Sequence, residues 1–175
     1  MSDYTVRPLE EKDLQMVLEW RNSDHVHSKM LTNHKITWDE HYAWFHRSKE
    51  NHPCRNLIFE YQGRAIGYIG YTEYDEEKKS CSPGAYLGVS DVPMEAVFAI
   101  FYMSLKYAFE DLHMDYIESS ILQSNKIALM INKKLGCVRL ENAYEVCVKG
   151  NKEEKAYRYK MTKEEWQKNK NVMNI

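Results

Sequence analysis

"SNKIALMINKKLGCVRLE", residues Ser124 to Glu141, reads as a short amphipathic helix running straight into an extended segment. Ser124-Asn125 is a helix-start pair, Ala128, Ile131 and Leu135 recur at helical spacing, and Gly136 supplies the stop. Tyr116 to Leu122, just before it, is extended, so the unit is strand, helix, strand. Beyond it, Val138 to Met161 divides into two extended runs around "KGNK" at Lys149 to Lys152, followed by a polar tail carrying Trp166.

Upstream, "YLGVSDVPMEAVFAIFYMSLKYAF", Tyr86 to Phe109, is an extended end, a short loop and a long apolar helix. Over 97–112, Val97, Phe101, Leu105, Ala108 and Leu112 form one stripe widened by Phe98, Met103 and Phe109, broad enough to predict burial against a sheet. Asn56 to Thr72 alternates around Gln62-Gly63, a hairpin signal, and "DEEKKS" at Asp75 to Ser80 separates it from a further extended run. Thr37 and Glu40 form a capping box opening a helix toward Arg47, with Trp38, Tyr42 and Phe45 near one face. Nearer the N-terminus, Tyr4 to Arg7 is extended and stopped by Pro8. Leu14, Val17, Leu18 and Arg21 then fall at helical spacing. The order is β-α-α-β-β-β-α-β-α-β-β, which predicts an α/β (α+β) fold with a central mixed sheet flanked by helices.

The chain has 175 residues, 43% of them hydrophobic and 29% charged, enough for one sizeable core, and the reading is a single domain over 1–175. A net charge of −2 gives no general affinity for nucleic acid. No long apolar run predicts a membrane span, and no secretory segment is evident. Cys54, Cys81, Cys137 and Cys147 show no CxxC spacing, so reduced thiols and a cytoplasmic location are expected.

With "VRPLEEKDLQMVLEWRN", "EHYAWF" and "KYAFEDL", the Asn125, Ala128 and Leu135-Gly136-Cys137 pattern resembles the GNAT superfamily of N-acetyltransferases over Thr5 to Met161. It is most similar to the branch of ribosomal-protein N-terminal acetyltransferases and pseudaminic-acid-pathway sugar-nucleotide acetyltransferases. The resemblance implies a GNAT-like acyl-CoA N-acyltransferase fold with acetyl-CoA as cosubstrate. The cofactor would lie in a splay between the fourth and fifth strands, pairing with Gly84 to Val89, including Leu87, Gly88 and Val89. Its pyrophosphate would rest on amides of Met94, Glu95, Ala96 and Val97, and Asn125, with Ala128 behind it, would bind its arm.

The family's phosphate loop carries glycines, which permit positive φ and close backbone approach. Here the span is Val92-Pro93-Met94-Glu95-Ala96-Val97. Two readings stay open. Amides could still face the phosphates, with Glu95 turned outward and Lys126 and Lys133 offsetting charge. Alternatively Glu95 could face the pyrophosphate, at a cost of roughly 3 kcal/mol for one like-charge pair at ~6 Å and an effective dielectric of ~20. Asn132 stands where many relatives have a Tyr that protonates the leaving thiolate. An amide cannot do that, and its bland reading is a surface helix residue. Cys137, for the usual Phe, reads as core packing.

An amine attacks a thioester only when unprotonated, so a base and oxyanion donors are needed. Glu118 and Ser120 share a strand face, with Glu118 the first base candidate and a solvent-facing edge carboxylate its bland alternative. Val89 would offer its amide to the thioester, and Tyr71, Glu73 and Tyr86 are further cleft candidates. In the resembled sugar-nucleotide branch, Arg21, Asn22, His41 and Trp44 match acceptor-side positions; core packing and salt bridging are the alternative. Six histidines, His25, His27, His34, His41, His46 and His52, crowd one segment without metal-ligand spacing, and no metal is expected.

The leading expectation is therefore an acetyl-CoA-dependent N-acetyltransferase acting on a primary amine of an amino-sugar nucleotide or a peptide N-terminus. The alternative is a catalytically degenerate GNAT-fold binding module without a competent phosphate loop. Partners would be the small-molecule or peptide acceptor, without nucleic acid or membrane. The hairpin at Lys149 to Lys152 and the tail with Trp166 are where a homodimer would pair.

Overall fold

The computed structural model describes residues 3–51 and 55–171. His52 and Cys54 lie outside the described residues. Strand β1 (Tyr4–Pro8) ends at its proline, and a capping box between Glu10 and Asp13 turns the chain into α1 (Leu14–Asn22). A four-residue helix, α2 (Asp24–His27), follows, then α3 (Trp38–Asn51). At the start of α3 the expected capping box is made. Thr37 N–H donates to Glu40 Oε2 at 2.7 Å, and Glu40 N–H to Thr37 Oγ1 at 3.3 Å.

Strands β2 (Asn56–Tyr61), β3 (Arg64–Asp75) and β4 (Ser80–Leu87) lead to α4 (Glu95–Lys106), which runs on as a π-type turn to Asp111. Then come β5 (Tyr116–Leu122), α5 (Lys126–Leu135), β6 (Val138–Lys149), β7 (Lys152–Thr162) and α6 (Lys163–Asn169). Gln62 and Gly63, at φ 49° and 78°, make the two-residue hairpin turn read from the sequence. The seven-stranded mixed sheet has the order β1-β2-β3-β4-β5-β7-β6. β4 and β5 are parallel, while β1–β2, β2–β3, β5–β7 and β6–β7 are antiparallel.

Two compact units are distinguishable in the chain: residues 1–71 with 85–100, and 72–84 with 101–175. In the first, Leu9, Leu14, Val17, Trp20, Phe45 and Ile58 form a buried cluster. In the second, Trp166 is fully buried, with ring centroids 5.3 Å from Tyr102 and 5.8 Å from Phe109.

Two expectations are corrected. The tail holding Trp166 is a helix, because Thr162 and Glu165 form a capping box and the indole has a place to go. The buried face of α4 and its π turn is Ala96, Ala99, Ile100, Ser104, Leu105, Ala108 and Phe109, about a residue off the expected stripe, with Val97 and Phe101 half-buried. With so many apolar residues, several stripes fit the helix equally well, and only packing chooses between them.

Candidate functional site

In the unit formed by 1–71 and 85–100, the stripe of α1 that buries Leu14, Val17 and Leu18 carries on to Arg21. The guanidinium is thereby drawn inward: it is half-buried, and Nη1 is enclosed without a hydrogen-bond partner among the described residues. No carboxylate pairs with it there. Burial lowers its pKa, while the Tyr86 and Tyr68 phenols oppose that fall.

Those phenols are held neutral. Burial pushes Tyr86 and Tyr68 well above the ordinary value, and Tyr68 Oη donates to Asn56 Oδ1 at 2.5 Å. Their rings lie 5.3 Å apart, and Trp44 meets Tyr68 edge-on at 6.2 Å. The result is an aromatic wall with one uncompensated cation.

The other expected acceptor residues do scaffold work. Asn22 Nδ2 donates to the Ile36 carbonyl at 2.8 Å, and Ile36 N–H returns a bond of 2.8 Å to Asn22 Oδ1, pinning the loop before α3. His41 is buried, its Nε2 donating to the Leu14 carbonyl at 3.0 Å, so the ring joins α3 to α1. Burial lowers its pKa and keeps it neutral. It stacks on Trp44 at 5.1 Å and so orients that indole.

At the end of β4, Gly88 N–H donates to the Ile66 carbonyl at 2.9 Å, and a Cβ on Gly88 would enter the Trp20 ring. The half-buried Val89 follows, its N–H without an acceptor among the described residues. The Leu87 carbonyl is approached by His25 Nε2 at 3.4 Å. Ahead of α4, Ala96 N–H donates to Pro93 O at 2.9 Å and Val97 N–H to Met94 O at 3.3 Å. Two of the four expected phosphate amides are thus spent in the turn, which leaves those of Met94 and Glu95. Both of those side chains are exposed, Met94 to 89%, so neither is folded over the turn. The Glu95 charge is felt by Tyr4, whose phenol is raised by burial first and by Glu95 second.

In the unit formed by 72–84 and 101–175, β4 and β5 are paired only at Ser80–Tyr116 and Cys81–Ile117. Past that point, Ser82 to Gly84 have no ladder to β5. Asn125 caps α5, its Oδ1 accepting from Ala128 N–H at 3.3 Å, and its Nδ2 finds no partner among the described residues. Ala128 is buried behind it.

Glu118 lies on β5 just past its last pairing with β4, opposite Lys160 of β7. Arg158 Nη2 donates to its Oε2 at 3.0 Å, and Lys160 Nζ is 3.7 Å from Oε1. Arg158 also reaches Glu73 at 3.3 Å and Glu145 at 3.6 Å, and Ser120 Oγ donates to Glu145 at 2.9 Å. Burial alone would lower the Arg158 pKa, but the Glu118 bond and the surrounding carboxylates hold it above its ordinary value.

Asn132 is buried, not on the surface as its bland reading had it. Its Nδ2 donates to the Ala128 carbonyl at 2.9 Å, stiffening α5. Cys137 is buried and its thiol pushed up to about 12 by burial, as core packing requires. Tyr71 is buried. Tyr68 was missed because residues 66–71 are mostly buried on both faces, so alternation could not single out the inward phenol. Among the described residues no group of three or more His, Cys, Asp or Glu could hold a metal ion. A hollow of about 220 Å³ against Pro8, Phe45 and Asn56 holds none of the site residues.

The sequence profile of the GNAT acetyltransferase domain matches residues 4–138. The chain belongs to that family. It is an acetyltransferase, and acetyl-CoA is the family's cosubstrate. Two relatives from Campylobacter jejuni strains, each named acetyltransferase PseH, are 23% and 25% identical over 128 residues, 70% of this chain and 75% of theirs. A spermidine N-acetyltransferase from Vibrio cholerae, solved with CoA and spermine, superposes with a TM-score of 0.86 at 17% identity over 95% of this chain and 99% of that one. The Salmonella typhimurium protein yncA, solved with its cofactor acetyl-CoA, gives 0.74 at 15% over 91% and 94%. At such identities the two structures speak for the fold. No described helix of this acetyltransferase is long and apolar enough to cross a membrane.

Proposed function

We propose that this acetyltransferase N-acetylates a primary amine on an acceptor that also carries negative charge, of the amino-sugar nucleotide kind. Arg21 carries the reading: a half-buried guanidinium that, among the described residues, has no carboxylate paired with it and an enclosed Nη1 without an acceptor. An anionic acceptor group would supply both the charge and the hydrogen bond. A polycation such as spermine would meet an uncompensated positive charge beside aromatic rings. Reduced thiols fit action in the cytoplasm.

Acetyl-CoA supplies an acetyl thioester whose carbonyl carbon accepts the amine and whose thiolate leaves. In this reading the Asn125 amide and the stretch of β4 from Ser82 to Gly84, which has no ladder to β5, are the groups for its arm, and the amides of Met94 and Glu95 are the donors for its phosphates. Val89 N–H is the donor for charge developing on the carbonyl oxygen. Glu118 receives the amine proton, directly or through water. Its oxygens are already engaged by Arg158 and Lys160, so Arg158 positions that carboxylate. No acid takes the Tyr role at Asn132. A thiolate departs without one, at a loss of ~10²–10⁴-fold where such an acid would have helped.

Steady-state CoA release tests this with three acceptors: a UDP-linked amino sugar, spermidine and a short peptide with a free N-terminus. The amino sugar should be preferred, and Arg21→Gln should raise its KM about ten- to hundredfold with acetyl-CoA's KM unchanged. Preference for spermidine, or an Arg21→Gln enzyme of unaltered KM, would overturn the anionic-acceptor reading.

A further inference from the structure

The chain from Val89 to Pro93 leads into the Met94 and Glu95 amides, and it has no glycine to set its path. Just before it, Gly88 N–H is bonded to the Ile66 carbonyl, and at its far end the turn into α4 closes on the Pro93 carbonyl. Between those points no main-chain bond ties 89–92 to another part of the chain among the described residues. A side chain holds the middle instead. Arg64 Nη1 donates to Asp91 Oδ2 and Arg64 Nη2 to Asp91 Oδ1, both at 2.9 Å. Two parallel bonds fix orientation as well as distance.

The other end of this strut is rigid. Arg64 opens β3 opposite Tyr61, directly after the Gln62-Gly63 turn, and Gln62 N–H donates to the Asp3 carbonyl at 2.8 Å. The guanidinium therefore links the shared end of β1, β2 and β3 to a loop with no other such anchor. Both side chains are exposed, 55% and 69%, where an ion pair adds little to folding stability. Asp91 also stands three residues before Met94, an awkward place for a negative charge if phosphates are to bind nearby. Its presence there has a use if the carboxylate serves position.

We propose that Arg64 and Asp91 are a positioning pair for cosubstrate binding, holding the loop so that the Met94 and Glu95 amides converge on the diphosphate of acetyl-CoA. The proposal rests on those two amides being the phosphate donors. Charge and position predict opposite results for Asp91. If only charge mattered, removing the carboxylate would tighten binding of an anion; if it anchors the loop, removing it weakens binding.

Isothermal titration of the full chain with CoA, dephospho-CoA and pantetheine separates the cases. The unaltered protein should bind CoA about tenfold or more tighter than pantetheine, which has no phosphate. Arg64→Gln and Asp91→Asn should each raise the Kd of CoA and of dephospho-CoA about three- to tenfold. The double variant should be no weaker than either single one, because each residue acts through the other. Melting curves without ligand establish that the variants are folded, and either folded single variant decides. CoA binding no tighter than pantetheine removes the phosphate reading, and this proposal with it. CoA binding that is tighter but unchanged in a folded variant overturns the positioning pair alone. So do tighter binding by Asp91→Asn, a loss confined to CoA and absent with dephospho-CoA, or additive losses in the double variant.

Discussion

Arg21 and His41 are both polar side chains on otherwise apolar helical faces, and the fold treats them oppositely. His41 gives its one ring proton to a backbone carbonyl and becomes part of the core. Arg21 is left with an enclosed N–H group that has no acceptor among the described residues. The His41 arrangement has a pH signature. Its folded pKa lies below the ordinary 6.5, so the unfolded chain binds the proton first as pH falls. Its contribution is complete above the unfolded value and is lost as pH drops through it. Melting temperature should therefore decline from about pH 7.5 to about pH 5.5, and less steeply in His41→Gln, which keeps a donor but no titration. Gly88 is constrained by space: Gly88→Ala forces a methyl into the Trp20 ring. Urea unfolding should register about 1–3 kcal/mol of lost stability.

Among the elements, α6 shows how a polar tail becomes structure. Thr162 and Glu165 satisfy the first amides of the helix, which frees Trp166 to bury its ring against Tyr102 and Phe109. Its indole N–H donates to Glu110 at 3.3 Å, and Lys170 reaches the same oxygen at 2.9 Å. Thr162→Ala should cost about 1 kcal/mol. Trp166→Ala should cost about 3–5 kcal/mol. Thermal unfolding of the two variants would separate cap from core, and equal losses would mean that the cap, not the ring, holds the helix. The turn before α4 is the converse case, where local bonding consumes amides that an anion would otherwise claim.

At the scale of the whole molecule, cosubstrate binding must stabilise whatever fold it selects. CoA at ~100 times its Kd adds ~2.7 kcal/mol to unfolding. For a chain of this size that is roughly 5–10 °C in melting temperature. With two amides where glycine-bearing relatives offer more, the half-maximal shift should need higher CoA than in such relatives. Differential scanning fluorimetry with CoA measures both, and a flat response at ~1 mM would remove the amide-held phosphate from the mechanism.

The order of strands and helices, the capping boxes, the Gln62-Gly63 turn, the Gly136 stop and the family were legible in the chain itself. Each rests on contacts between residues a few positions apart, and short-range periodicity records such contacts. Which face of α4 is buried, that the tail folds, that Tyr68 joins Arg21 and that Glu118 is held by Arg158 were decided by tertiary packing. Those pairings join residues 40 and more apart in sequence, and nothing local distinguishes a buried tyrosine from its neighbours once both faces of a strand are covered. Arg21 shows both at once: its helical phase was written in α1, while its lack of a counter-charge became visible only when the surrounding strands closed around it.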